Sequence, residues 1–380
     1  MDLVRAATDE RVLRTLMEHR RLTRAELAVL IGISKPTAGE SVRRLTGAGL
    51  IADTGVRTPG GRGRGRVGSY YALREDVGTA LAVSIGPEGV VAEAVDAYGD
   101  VVARAGHEIS RPARPALVAA AVRAVAADVV ARAPAPPRLA VVSAADPVDR
   151  ATGRLVQLPD APFLVGELDP VAVLAPYVAG PVTVDNDVNW AAQAESAATD
   201  PPLADFAYLY LGEGLGCALV SDGEVRRGAT GLAGEIAHLV TAGPRSRAMP
   251  LTGVFAELGL HRPGSTAIDA ARLLAEAAAS ASLLGALGRA IGGVIAAVVA
   301  LADPAAVVVG GTWGSDETIL EAIRAGFAGG PRQVEIRAAA TTVRPALAGA
   351  RLDAAGRLRA AVVASAGAAH AVPLTGRGGA

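Results

Sequence analysis

The sequence predicts an α/β chain in two parts: a small N-terminal helix–turn–helix with a wing, and a larger body of two related lobes. Three observations predict it. Residues 22–50 set short apolar helices around a glycine turn, residues 79–105 and 206–228 each read strand, turn, strand, turn, strand, and charge divides between the parts. Of the 380 residues, 1–74 hold 14 Lys and Arg against 7 Asp and Glu, leaving 23 against 31 for the rest. A basic head on an acidic body implies a polyanionic partner for the head alone.

Within the head, residues 11–17 read as a first helix with Val12, Leu13 and Leu16 inward. Thr23 followed by Glu26 has the form of a capping box, and Leu27, Leu30 and Ile31 follow at helical spacing. Gly32 supplies the turn. Ser34 then caps a second helix with Pro36 in its first turn. Ala38, Val42 and Leu45 face inward, while Lys35, Thr37, Ser41, Arg43 and Arg44 form the polar side. A helix so placed sets its N-terminal residues against base edges, with hydroxyl and basic groups on phosphates. Ser34, Lys35, Thr37, Ser41, Arg43 and Arg44 are therefore candidate contacts to a double-stranded DNA operator.

Two short strands, 50–53 and 69–73, flank a loop in which Arg62, Arg64 and Arg66 alternate with glycine. Arginine on a thin glycine backbone fits a narrow minor groove, where the potential is most negative. By itself this pattern also suits a flexible basic linker, and three-helix modules exist that touch no nucleic acid. The basic loop beside the helix–turn–helix favours DNA.

After a junction at 74–78 the apolar period changes from helix to strand. The repeated meanders predict two related lobes with a cleft between them. A helix over 115–133 and buried strands at 139–144 and 182–184 follow the first; helices within 267–301, a strand at 305–309 and a helix at 318–327 follow the second. A single cysteine, Cys217, excludes an internal disulfide and a thiolate metal cluster within the chain. The first 19 residues are amphipathic and carry acids, unlike a secretory signal, and the apolar run at 291–302 is too short to span a bilayer. The expected location is the cytoplasm, with no membrane partner.

The segments VDNDVNWAAQAE (184–195), GATGLAGEIAHLV (228–240) and DPAAVVVGG (303–311), joined in this order to a winged helix, resemble the ROK family of repressors and sugar kinases. The resemblance runs from about Arg11 to a helix ending near Ala366. It implies a two-lobed actin-like ATPase (ribonuclease H-like) fold with sugar bound between the lobes. The head would occupy 1–74, the first lobe 78–195 completed by a C-terminal helix at 354–366, and the second lobe 205–350. Asn186, Asp187, Glu235 and His238 fall where family members hydrogen-bond sugar hydroxyls, and Asp187 falls on the general base of the kinases. Read without the resemblance, Asn186 and Asp187 also suit an N-cap pair, and His238 a satisfied buried imidazole.

Departures from the family pattern shape the expected function. The loop 241–253 carries none of the three cysteines that, with the histidine, hold zinc in most members, and one His cannot supply four ligands. No metal is expected. The sugar-touching glutamate that follows those cysteines falls at Thr252, and SAADPVD (143–149) replaces the usual Pro-Gly turn near the sugar. In the first hairpin the family's Asp-x-Gly-Gly-Thr is replaced by Ser84-Ile85-Gly86-Pro87-Glu88, and the second hairpin puts Glu213 where triphosphate approaches. Neither a bound cofactor nor catalysis is expected. The reading is a transcriptional repressor whose kinase-dead body senses a sugar or related molecule of carbohydrate metabolism, as a homodimer or homotetramer. The alternatives are a sugar kinase with a fused DNA-binding head, and a regulator that binds no sugar.

Overall fold

The computed structural model describes residues 2–58, 68–158, 162–164, 166–329 and 332–370. Its head contains α1 (Asp2–His19), β1 (Arg21–Thr23), α2 (Arg24–Ile31), α3 (Lys35–Gly47), β2 (Ile51–Arg57) and β3 (Ser69–Leu73). The three strands form one sheet in the order β1-β3-β2. Local chemistry fixes the helix ends. Thr23 and Glu26 close the capping box in both directions, Gly32 takes the left-handed C-cap at φ 72°, and the Ser34 side chain accepts from the Thr37 N–H. Val12, Leu13, Leu16, Leu27, Val42 and Leu45 are buried. Leu30 is not: it is 52% exposed, and Ala28 faces inward instead. At 100° per residue, 27, 28 and 31 share the stripe that meets the core.

The first lobe contains β4 (Thr79–Gly86), β5 (Gly89–Val95), β6 (Val101–His107), α4 (Pro115–Arg132), β7 (Pro137–Ala144), α5 (Pro170–Leu174), β8 (Val182–Asn186) and α6 (Asp187–Ala197). The second contains β9 (Phe206–Leu211), β10 (Leu215–Ser221), β11 (Glu224–Val225), β12 (Val240–Ala242), β13 (Ala248–Pro250), α7 (Leu251–Glu257), α8 (Ala270–Ala279), α9 (Ala281–Ala302), β14 (Ala306–Gly310), α10 (Glu317–Phe327) and β15 (Glu335–Ala338). Their main sheets run β6-β5-β4-β7-β8 and β11-β10-β9-β14-β15. In each, an antiparallel meander is extended by two parallel strands beside its first strand. The internal repeat in the sequence is thus a repeat of topology.

Helix α9 is longer than the apolar run 291–302 indicated, because it starts at the Ser280 cap and includes Arg289. By length and composition alone it could cross a membrane, but most of it is buried in the second lobe. It crosses α10 at backbone contact, where a Cβ on Gly288 would run into the Ala322 carbonyl oxygen. The last helix, α11 (Pro345–His370), begins well before residue 354. It packs on α6, β4 and β7, and also on α1 of the head. One apolar cluster therefore joins Val12 and Leu16 of the head to Val141, Leu358 and Val362 of the first lobe. The turn between β5 and β6 completes the joint. Its Tyr98 hydroxyl accepts from the Leu73 N–H at 3.0 Å and donates to the Arg20 carbonyl at 3.2 Å, while Arg359 donates to the carbonyls of Ala97 and Tyr98.

Candidate functional site

At the start of α3, Ser34, Lys35 and Thr37 are exposed, as is Arg43 further along. The hydroxyls of Ser34 and Thr37 lie 2.8 Å apart. Ser41 departs from the polar side assigned to it. It is fully buried, and its hydroxyl donates to Asp9 at 2.5 Å. Arg44 grips the same carboxylate with two bonds, at 2.7 and 3.0 Å. Ser41 and Arg44 thus tie α3 to α1, and the buried Ser41 hydroxyl does not face a partner. Position 41 lies on the inward stripe with Ala38, Val42 and Leu45, and a hydroxyl is tolerated there because Asp9 accepts from it. Arg62, Arg64 and Arg66 lie outside the described residues. The stem of their loop is closed by two bonds between Thr58 and Gly68, both 2.9 Å.

Between the lobes lies a cavity of about 410 Å³ to which Asn186, Asp187, Glu235 and His238 all contribute. Asn186 caps α6: its Oδ1 accepts from the Val188 N–H at 3.0 Å, and its Nδ2 donates to the Asp146 carbonyl at 3.3 Å. The N-cap description therefore holds for Asn186, whose amide is occupied inside the protein. Asp187 follows it on the first turn of α6. Burial, then the charge of Asp146, raises its pKa to about 7, against the pull of backbone N–H groups at the helix start. Glu235 is pushed up to about 7 by burial. His238 is exposed to the cleft, not packed in the core. Gly234 sets Glu235 in place: its φ is 95°, its carbonyl accepts from the Cys217 N–H at 2.9 Å, and a Cβ would strike the Cys217 carbonyl oxygen.

Two further carboxylates complete the site, and neither was singled out as a ligand contact from the sequence. Asp146 lies at the start of the loop after β7 and is 2% exposed. Its Oδ2 has no hydrogen-bond partner, and burial pushes its pKa up to about 7, against the pull of the Leu164 N–H. The sequence signal was an aspartate within SAADPVD, where the family has a Pro-Gly turn. Glu213, on the hairpin between β9 and β10, accepts from Arg111 of the first lobe at 2.6 Å and from Arg262 of the second at 2.9 Å. It therefore bridges the lobes at the mouth of the cleft.

Glu88 also faces the cavity, so five carboxylates line it, with Arg344 and His238 as its basic side chains. Thr252, on the first turn of α7, reaches the same wall, and the loop before it forms the β12–β13 hairpin. Among the described residues no three His, Cys, Asp or Glu side chains converge closely enough to hold a metal ion.

Residues 80–254 match the ROK family, and residues 5–52 match a winged helix-turn-helix DNA-binding family. The chain carries a ROK-family domain behind a winged-helix head. Over 231 residues it is 22% identical to the xylose repressor of Caldicellulosiruptor bescii, a match covering 60% of this chain and 57% of that protein. The chain thus spans little more than half the length of the curated repressor it matches. Over 151 residues the chain is 30% identical to the bifunctional enzyme NanE/NanK of Brucella suis, covering 38% and 29% of the two chains.

Among solved structures it is similar to a ROK family transcriptional regulator described as a homologue of the E. coli MLC protein. The TM-score is 0.64 at 17% identity, over 95% of this chain and 99% of that one. It is also similar to a ROK glucokinase from Streptomyces griseus in complex with glucose and AMPPNP, with TM-score 0.54 at 23% identity, over 72% and 98%. These likenesses give the fold, a winged helix ahead of a two-lobed actin-like body, and the relatives include both repressors and kinases.

Proposed function

We propose that this ROK protein is a DNA-binding transcriptional regulator, a repressor of the cytoplasm, whose body senses a sugar or sugar derivative and transfers no phosphate. The observation that carries this reading is the start of α3, which presents Lys35 and Thr37 to solvent on a head whose core is continuous with the sensing body. The likeness to a xylose repressor and to an MLC homologue supports it. The cleft opposes kinase chemistry electrostatically. Ser84 stands where magnesium would need a carboxylate, and Glu88 adds a carboxylate to the cleft that a triphosphate must enter.

A winged helix reads one half-site, and pairing two heads through the bodies in a homodimer or homotetramer reads a near-palindrome. Ligand acts through its different affinity for two arrangements of the lobes. The Arg111–Glu213–Arg262 bridge at the cleft mouth is the link that such a rearrangement would make or break. Fluorescence anisotropy on operator fragments selected from genomic DNA tests the reading. Saturable, sequence-dependent binding is expected, with loss in the Lys35→Ala, Thr37→Ala variant. Binding that ignores sequence and both substitutions would sink it. Asp187 is retained at the family's general-base position, so the kinase reading meets its own test: ATP turnover with hexoses in the purified protein, for which no product is expected.

A further inference from the structure

The cleft brings together three carboxylates that no basic side chain of the protein pairs with. Asp146, Asp187 and Glu235 influence one another electrostatically, and none of the three has a basic side chain paired with it in the hydrogen-bond network. Glu213, by contrast, is neutralised by Arg111 and Arg262. Arg344 is exposed, at the head of α11.

The decisive atom is Oδ2 of Asp146. It is buried, it belongs to a residue on the cavity wall, and no donor of the protein reaches it. A buried carboxylate oxygen without a donor is an incomplete structure. Two kinds of partner could complete it. A bare metal ion does not fit, because these side chains do not converge on one point. An organic cation fits: an ammonium brings several donors and a positive charge to Asp146, while hydroxyls on the same molecule satisfy Asp187 and Glu235, which line the same cavity.

Building on the sensor reading above, we propose that the cleft's ligand carries a protonated amine on a polyhydroxylated scaffold, an amino sugar or aminocyclitol with a free amine, and that Asp146 receives the ammonium. Asp187 and Glu235 orient the hydroxyls. A glycine at position 146 would leave room for a neutral sugar and no charge; the aspartate changes the class of molecule that the cleft selects.

Titration calorimetry near pH 7 on the full chain tests this with matched probes: glucosamine, mannosamine and galactosamine, the corresponding neutral hexoses, and the N-acetylated hexosamines, which keep the scaffold and lose the charge. At least one free amine is expected to bind about tenfold or more tightly than its neutral and acetylated counterparts. Asp146→Asn is expected to erase that preference, and the comparison within the wild-type protein stands even if the variant folds poorly. Equal or tighter binding of a neutral hexose, lost in Asp187→Ala, would keep the sugar-sensing cleft and overturn the amine proposal. No binding by any probe would overturn both.

Discussion

Arg20 and Asp100 form a two-pronged ion pair, with Nη1 to Oδ2 at 2.5 Å and Nη2 to Oδ1 at 2.8 Å. Arg20 belongs to the head and Asp100 to the turn between β5 and β6. The same guanidinium lies 5.4 Å from the centre of the Tyr98 ring. Both partners are solvent-exposed, so the pair adds little to global stability, and its effect lies in fixing how the head sits on the first lobe. Asp100→Ala should leave the melting temperature almost unchanged while raising amide exchange at Leu73 and at the end of α1. Unaltered exchange at those amides would show that the apolar packing with α11 holds the head alone.

A second pair of substitutions separates folding from DNA binding. Asp9→Ala strands the buried Ser41 hydroxyl and leaves Arg44 without its carboxylate, which should destabilise the head by about 1–3 kcal/mol. Lys35→Ala should leave stability intact and weaken operator binding. Thermal melts followed by circular dichroism, read beside anisotropy titrations, check both; equal destabilisation by the two changes would contradict this division.

The wing loop makes its own prediction. If Arg62, Arg64 and Arg66 each neutralise a phosphate, replacing all three with alanine should reduce the slope of log affinity against log salt by about 0.9 for each phosphate no longer neutralised. A slope unchanged by the triple substitution would remove the loop from the interface.

Acidity should stabilise the ligand-free protein. Asp146, Asp187 and Glu235 titrate near 7 in the folded chain but near ordinary carboxylate values when unfolded, so between those limits the folded state binds more protons. Stability therefore falls as pH rises toward about 7 and levels off above it, with the three groups titrating as a coupled set. Differential scanning fluorimetry from pH 5 to 8 measures this, and Asp146→Asn should flatten the curve. A melting temperature that climbs steadily across the interval would contradict the buried, unpaired state of these carboxylates.

Gly234 offers a structural control on the cleft. Alanine there is forced to a positive φ and meets the Cys217 carbonyl, so Gly234→Ala should lose about 2 kcal/mol or more and displace Glu235. Ligand binding that survived at wild-type strength would show that Glu235 does not touch the ligand.

The parts of this molecule written in local chemistry were legible in its sequence. Thr23 with Glu26, and Ser34 with Pro36, announce helix starts because a cap and its target lie within three residues of each other. The two five-stranded sheets showed through as repeated meanders for the same reason. Ser41 misled because its partner, Asp9, lies on another helix and turns an apparently surface hydroxyl into a core group. Asp146 was hidden for a similar reason: its burial is set by the tertiary fold, and Asp187 and Glu235, which line the same cavity, come from separate segments, so no window of sequence contains the set. For His238 the sequence leaves a ligand contact and a buried imidazole both open, and the short turn at Ile236–His238 leaves it exposed on the cavity wall.

Helix α11 opens at the cleft wall, where Pro345, Ala346 and Leu347 face the cavity, and it packs against α1 of the head. Its 26 residues make a rod of about 39 Å. Just before the rod, Glu195 of α6 accepts from the backbone N–H groups of Ala340 and Thr341 at 3.0 Å, so the approach to it is pinned as well. The cleft wall and the head therefore share a single stiff helix. On the sensor reading, side chains around the near end of this rod could change which ligand the cleft takes without altering the helix face that meets the head at the far end.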